Sequence, residues 1–83
     1  MKKTYRSLRV AEHKGSTKGV VICLELVEWP ALLHLPRQYE VFSYRIRPEE
    51  GSYKRMVLAH SKEEANAVFE KELAKNAAWK EVR

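Results

Sequence analysis

The sequence predicts an α+β fold: a four-stranded antiparallel sheet made of two hairpins, ordered ββ-turn-ββ-α, with one C-terminal helix packed on one face. Three observations lead there. Alternating or β-branched segments recur before position 60. Short stretches rich in Gly, Pro and Ser separate them at hairpin spacing. One segment with helical periodicity, opened by a capping sequence, closes the chain.

Residues 4–13 set Leu8 and Val10 against Tyr5, Ser7 and Arg9, the pattern of a strand. Lys14-Gly15-Ser16-Thr17-Lys18-Gly19 reads as a loop whose glycines permit the positive φ of a hairpin. Val20–Val27 is β-branched and apolar on both faces at its start, as expected of a central strand. Trp29–Pro36 holds Leu32, Leu33 and Leu35 between prolines and predicts a single helical turn with Pro30 in its first position.

Tyr39–Arg47 alternates Phe42, Tyr44 and Ile46 with Val41, Ser43, Arg45 and Arg47. The loop Pro48-Glu49-Glu50-Gly51-Ser52 leads into Tyr53–His60, where Met56 and Leu58 oppose Tyr53, Arg55 and Val57. Ser61-Lys62-Glu63-Glu64 has the Ser-x-x-Glu form of a capping box, and Ala65, Val68, Phe69, Leu73 and Ala77 follow as one apolar stripe.

One helix covers only one face of such a sheet. Strand alternation assigns Leu24, Leu26, Phe42, Tyr44, Met56 and Leu58 to the covered face. It leaves Val21, Cys23, Val27, Val41 and Val57 on the outer face, among Tyr5, Tyr53 and several arginines. A solvated face normally alternates to polar residues, so this apolar outer patch is expected to be an interface, extended by Leu32 and Leu33, for a protein partner or a homodimer. The competing expectation is that Trp29, Trp79 or the N-terminal arm folds over it.

At 83 residues the chain is expected to form a single domain, 1–83, with residues 1–3 a flexible basic N-terminus. The hydrophobic content of 45% is too high for a disordered chain. The one cysteine, Cys23, permits no internal disulfide, and the longest apolar run falls far short of the ~20 residues that span a bilayer. The N-terminus lacks the apolar stretch of a signal peptide, so the expected location is cytoplasmic with no membrane contact.

The net charge of +5 sits within the first twenty residues, where Lys2, Lys3, Arg6, Arg9, Lys14 and Lys18 face one acid, Glu12. A segregated basic arm predicts a polyanion or acidic protein surface as partner. With Arg45, Arg47, Tyr53 and Arg55 on the second hairpin, it defines a candidate nucleic-acid surface: lysines and arginines for phosphate, a tyrosine for stacking. The bland alternatives are a solvated terminus and cross-strand pairing of those arginines with Glu40, Glu49 and Glu50.

No catalytic constellation emerges. The chain has no aspartate, and His13, His34 and His60 lie 21 and 26 residues apart, so no metal site is expected. The Gly15–Gly19 loop lacks the spacing of a phosphate-binding P-loop, and Cys23 reads as a buried thiol. No cofactor or enzymatic activity is expected.

Tyr5-Arg6-Ser7-Leu8-Arg9 at the start and Ser61-Lys62-Glu63-Glu64-Ala65 opening the helix resemble small sheet-plus-helix DNA binders of the integrase arm-binding type. That resemblance implies a sheet that reads DNA with its helix packed behind. The insertion at Trp29–Pro36 and the apolar outer face depart from it. The sequence therefore predicts a small non-enzymatic nucleic-acid-binding protein, with a protein-interaction module as the alternative.

Overall fold

The computed structural model describes residues 5–32 and 34–83. Four long strands form an antiparallel meander: β1 (Arg6–Lys14), β2 (Val21–Trp29), β3 (Gln38–Arg47) and β4 (Gly51–Ala59). Helix α1 (Lys62–Lys75) follows, and the chain ends on β5 (Lys80–Glu81). The sheet order is β4-β3-β2-β1-β5, so the α+β class holds but the sheet has five strands rather than four. A two-residue strand carries no periodicity that a sequence could display. It forms because the tail reaches the free edge of β1, where Val82 N donates to Val10 O at 2.7 Å.

Local chemistry accounts for the connections. Gly19 takes φ +86° in the β1–β2 loop, a conformation that L side chains rarely adopt, and Gly15 N donates to Val20 O at 2.8 Å to close it. The segment between β2 and β3 is not the expected helical turn. Leu32 and Leu35 exchange backbone hydrogen bonds of 3.0 and 2.6 Å. Pro36 disfavours the helical region at Leu35, which leaves an extended reversal instead. Ser61 caps α1 by accepting from Glu64 N at 3.2 Å, and its hydroxyl donates to Glu63. Among the described residues, no reciprocal bond joins the Ser61 N–H to the Glu64 carboxylate, so half of the capping box is realised.

The core lies between α1 and one face of the sheet. Ala11, Leu24, Leu26 and Val41 meet Ala65 and Phe69, all at most 1% exposed. Tyr39, Met56, Val57, Val68, Leu73 and Trp79 pack around them. Of the expected helix stripe, Ala77 lies beyond the helix end and is exposed.

This arrangement corrects the expected faces. In register, Leu26 stands beside Val41 and Leu24 beside Ser43, so Val41 is under the helix and Phe42 and Tyr44 are on the opposite face. Val57 joins Val41 in the core because β4 bulges: Val41 pairs with Val57 but Phe42 with Arg55. Met56 is the extra residue, and both it and Val57 pack on the core. Val41 is 0% exposed, so the outer apolar patch expected of Val41 and Val57 does not exist. Among the described residues no helix is long and apolar enough to cross a membrane.

Candidate nucleic-acid interface

The face that α1 leaves open is aromatic. Along β3, Phe42 and Tyr44 alternate onto it and stack with ring centroids 5.6 Å apart. Tyr53, from the start of β4, lies 5.3 Å from Phe42. Tyr5, just before β1, crosses back over the sheet to meet Phe42 at 6.2 Å and Trp29 at 5.0 Å, both edge-on. The rings thus form a continuous run from the end of β2 to the start of β4. Between Tyr5, Phe42, Tyr44, Tyr53, Glu50 and Gly51 is an open cavity of about 310 Å³.

Two buried carboxylates organise this surface from below. Glu40, 2% exposed, accepts from Trp29 Nε1 and Arg55 Nε, both at 2.9 Å, and from the Tyr53 hydroxyl. A buried carboxylate persists where such donors answer its charge, and here they also fix two of the rings. Glu25, 4% exposed, accepts from the Tyr44 hydroxyl at 3.1 Å. Burial, with Cys23 and Glu25 beside it, pushes the Tyr44 phenol far above its ordinary range. Burial, then the Glu40 carboxylate, raises that of Tyr53. Both hydroxyls therefore stay protonated as donors at neutral pH.

The expected basic arm does not come together as one patch. Lys2, Lys3 and the interface candidate Leu33 lie outside the described residues. Arg6 and Lys14 stand at opposite ends of the nine-residue β1, roughly 27 Å apart at the strand rise. Arg6 pairs with Glu28 at 2.9 Å. Arg9 is not turned to the outer face at all. A bulge at Leu8 turns it toward the helix, where its guanidinium lies 4.5 Å over the Phe69 ring. It donates to both Glu81 oxygens at 2.6 and 2.7 Å and to Asn66 at 2.7 Å, and pairs with Glu70 at 2.7 Å. Glu81 and then Glu70 raise its pKa against the opposing effect of burial.

The second-hairpin residues divide similarly. Arg45 braces its own hairpin by donating to Glu49 O at 3.0 Å, and Arg55 and Tyr53 are held on Glu40. Lys14, Lys18 and Arg47 are exposed at the hairpin end of the sheet. Of the apolar interface candidates, Val27 faces outward but is 0% exposed between Ser7 and Glu40, Val21 is half-buried, and Leu32 is 57% exposed.

Phe42, Tyr44, Trp29, Tyr5 and Glu40 were not among the sequence-derived binding candidates. The alternation of Phe42 with Tyr44 was visible in the sequence. What was missing was the register that turns them away from the helix. Comparison with protein-family models, curated proteins and solved structures finds no match.

Proposed function

We propose that the protein is a non-enzymatic binder of single-stranded nucleic acid, taken up on the aromatic face that α1 leaves open. One observation carries this reading: the continuous run of Trp29, Tyr5, Phe42, Tyr44 and Tyr53 on a free sheet face of a chain with net charge +5. Free ring faces on a sheet stack unpaired bases, each contributing about 1–3 kcal/mol, whereas a duplex keeps its base faces within its own stack. Here Tyr53 is exposed, Tyr5, Trp29 and Tyr44 are half-buried, and Phe42, 6% exposed, packs among them as support. Tyr53, 57% exposed, offers the most accessible ring. A duplex-reading ribbon would need its arginines extended, and Arg45 is bonded to the Glu49 carbonyl of its own hairpin and Arg55 to the buried Glu40 carboxylate. Arg55 also answers the Glu40 charge, which limits repulsion of phosphate at the centre of the face.

The test is a titration of Trp29 fluorescence, in a Trp79→Phe background, with oligothymidylate, oligouridylate and a duplex at rising salt. Quenching by the single strands, with affinity that falls as salt rises, is expected. Tyr53→Ala should weaken binding about tenfold and Tyr53→Phe far less, since only the first removes the ring. Absence of single-strand binding at ~50 mM salt sinks the reading.

Assembly with a second copy is the alternative reading, favoured by Leu32, Leu35 and Leu58, which remain 57%, 62% and 38% exposed around one end of the sheet. Light scattering decides it: a monomeric mass removes this alternative.

A further inference from the structure

The antiparallel meander places the β1–β2 loop and the β3–β4 connection at the same end of the sheet. Lys14 ends β1 and Arg47 ends β3, and both are in register with Val21 at the start of β2. Two interstrand steps therefore separate their backbones, roughly 10 Å. Lys18 sits in the loop between β1 and β2, beside the hydroxyls of Ser16 and Thr17. Together Lys14, Ser16, Thr17, Lys18 and Arg47 line a cavity of about 490 Å³ with no carboxylate in its wall.

These three cations differ from Arg6, Arg9 and Arg55, and from Arg45, which is taken up by the Glu49 carbonyl. Arg6, Arg9 and Arg55 each hold a carboxylate within 2.9 Å. Among the described residues, none of the ion pairs involves Lys14, Lys18 or Arg47. Glu49 and Glu50 lie in the neighbouring connection, and Glu50 faces the aromatic cavity instead. Tyr44 pairs with Cys23 and, across a bulge in β3, Arg47 pairs with Val21, two residues or roughly 7 Å along the same face of β2, so the basic cavity lies on the aromatic side of the sheet.

We propose that the cavity at the hairpin end is the phosphate-binding part of the surface. It would hold the backbone of the single strand whose bases stack on the aromatic face, with Lys14, Lys18 and Arg47 as the charges and Ser16 and Thr17 as hydrogen-bond donors. The inference rests on the single-strand reading above and adds to it the position where the backbone is gripped. It also explains how a chain of modest net charge concentrates cations at one place while Arg6, Arg9, Arg45 and Arg55 serve the fold.

The experiment compares the salt dependence of oligothymidylate binding in three full-length proteins: the wild type, a Lys14→Gln/Lys18→Gln/Arg47→Gln variant, and a Lys62→Gln/Lys71→Gln/Lys80→Gln variant with the same net charge. All six positions are exposed, and unchanged circular dichroism and melting temperature establish that each variant folds. For single strands each neutralised phosphate contributes about −0.7 to the slope of log K against log salt. The hairpin-end variant should therefore lose about two units of slope, and the charge-matched control less than one. Equal slopes for the wild type and the hairpin-end variant, or equal losses in the two variants, overturn the phosphate site while leaving the aromatic face standing. A wild type that binds no oligonucleotide overturns the single-strand reading itself.

Discussion

Glu40 shows how much a single residue does on this surface. Its carboxylate is buried, yet the indole of Trp29, the guanidinium of Arg55 and the phenol of Tyr53 all donate to it. Removing it orphans the half-buried Trp29 N–H, while the exposed Arg55 and Tyr53 turn to solvent, and a buried donor left unpaired costs about 1–3 kcal/mol. Glu40→Ala should therefore lower the stability measured by urea unfolding by that amount, and it should also loosen Tyr53. If urea unfolding is unchanged, Glu40 is not the support described. Tyr44 is held comparably by Glu25, with burial keeping its phenol protonated. From the sequence, Glu40 was only a candidate cross-strand partner for arginine, because its burial depends on neighbours from β2 and β4.

At the scale of elements, β5 depends on one side chain. Two residues of strand pairing are marginal by themselves, and Arg9 adds a bidentate clamp on Glu81 together with bonds to α1. The Arg9 guanidinium holds the Glu81 carboxyl below the usual carboxylate range. The stabilisation is therefore complete above the ordinary carboxylate value of about 4.3 and is lost as pH falls through the lower folded value. Amide exchange should show Val82, whose N–H bonds Val10 O, losing protection only as pH falls below about 4.3, while the β2–β3 pairing stays protected. Protection of Val82 that falls no faster with pH than that of the β2–β3 amides contradicts the clamp. The other telling element is β4, where the Met56 bulge restarts the alternation. The parity Tyr53, Arg55, Val57 is legible in the sequence and wrong in the fold, because a bulge inserts a residue without any required sequence mark.

Across the whole molecule, α1 divides the sheet into a core face and an open aromatic face, and Phe69 is the centre of that division. It is 0% exposed, packed among Ala11, Leu24, Leu26 and Val41, with Arg9 above its ring. Phe69→Ala should cost about 3–5 kcal/mol, a large share of the 5–15 kcal/mol typical of a domain, and move the urea midpoint accordingly. A shift under 1 kcal/mol would mean that the helix does not anchor the core. Among the described residues, the charge that is contiguous along the start of the chain becomes, in three dimensions, an ion pair at one end of β1, a clamp beneath the helix and an open cluster at the hairpin end.

The sequence by itself determined the elements: four long strands, the β1–β2 and β3–β4 hairpin loops, and a C-terminal helix begun by Ser61. Each follows from interactions within a few residues, such as alternation, capping and glycine conformations. It also marked Lys14, Lys18 and Arg47 as basic, without showing that they converge. Only the tertiary structure decided which face each strand presents. A one-residue change of register or a single bulge exchanges every side chain between core and surface, and that choice is made by how β2, β3 and β4 pack together beneath α1. That packing sends Val41 inward and Phe42 and Tyr44 outward, so the face expected to be an apolar interface became an aromatic one.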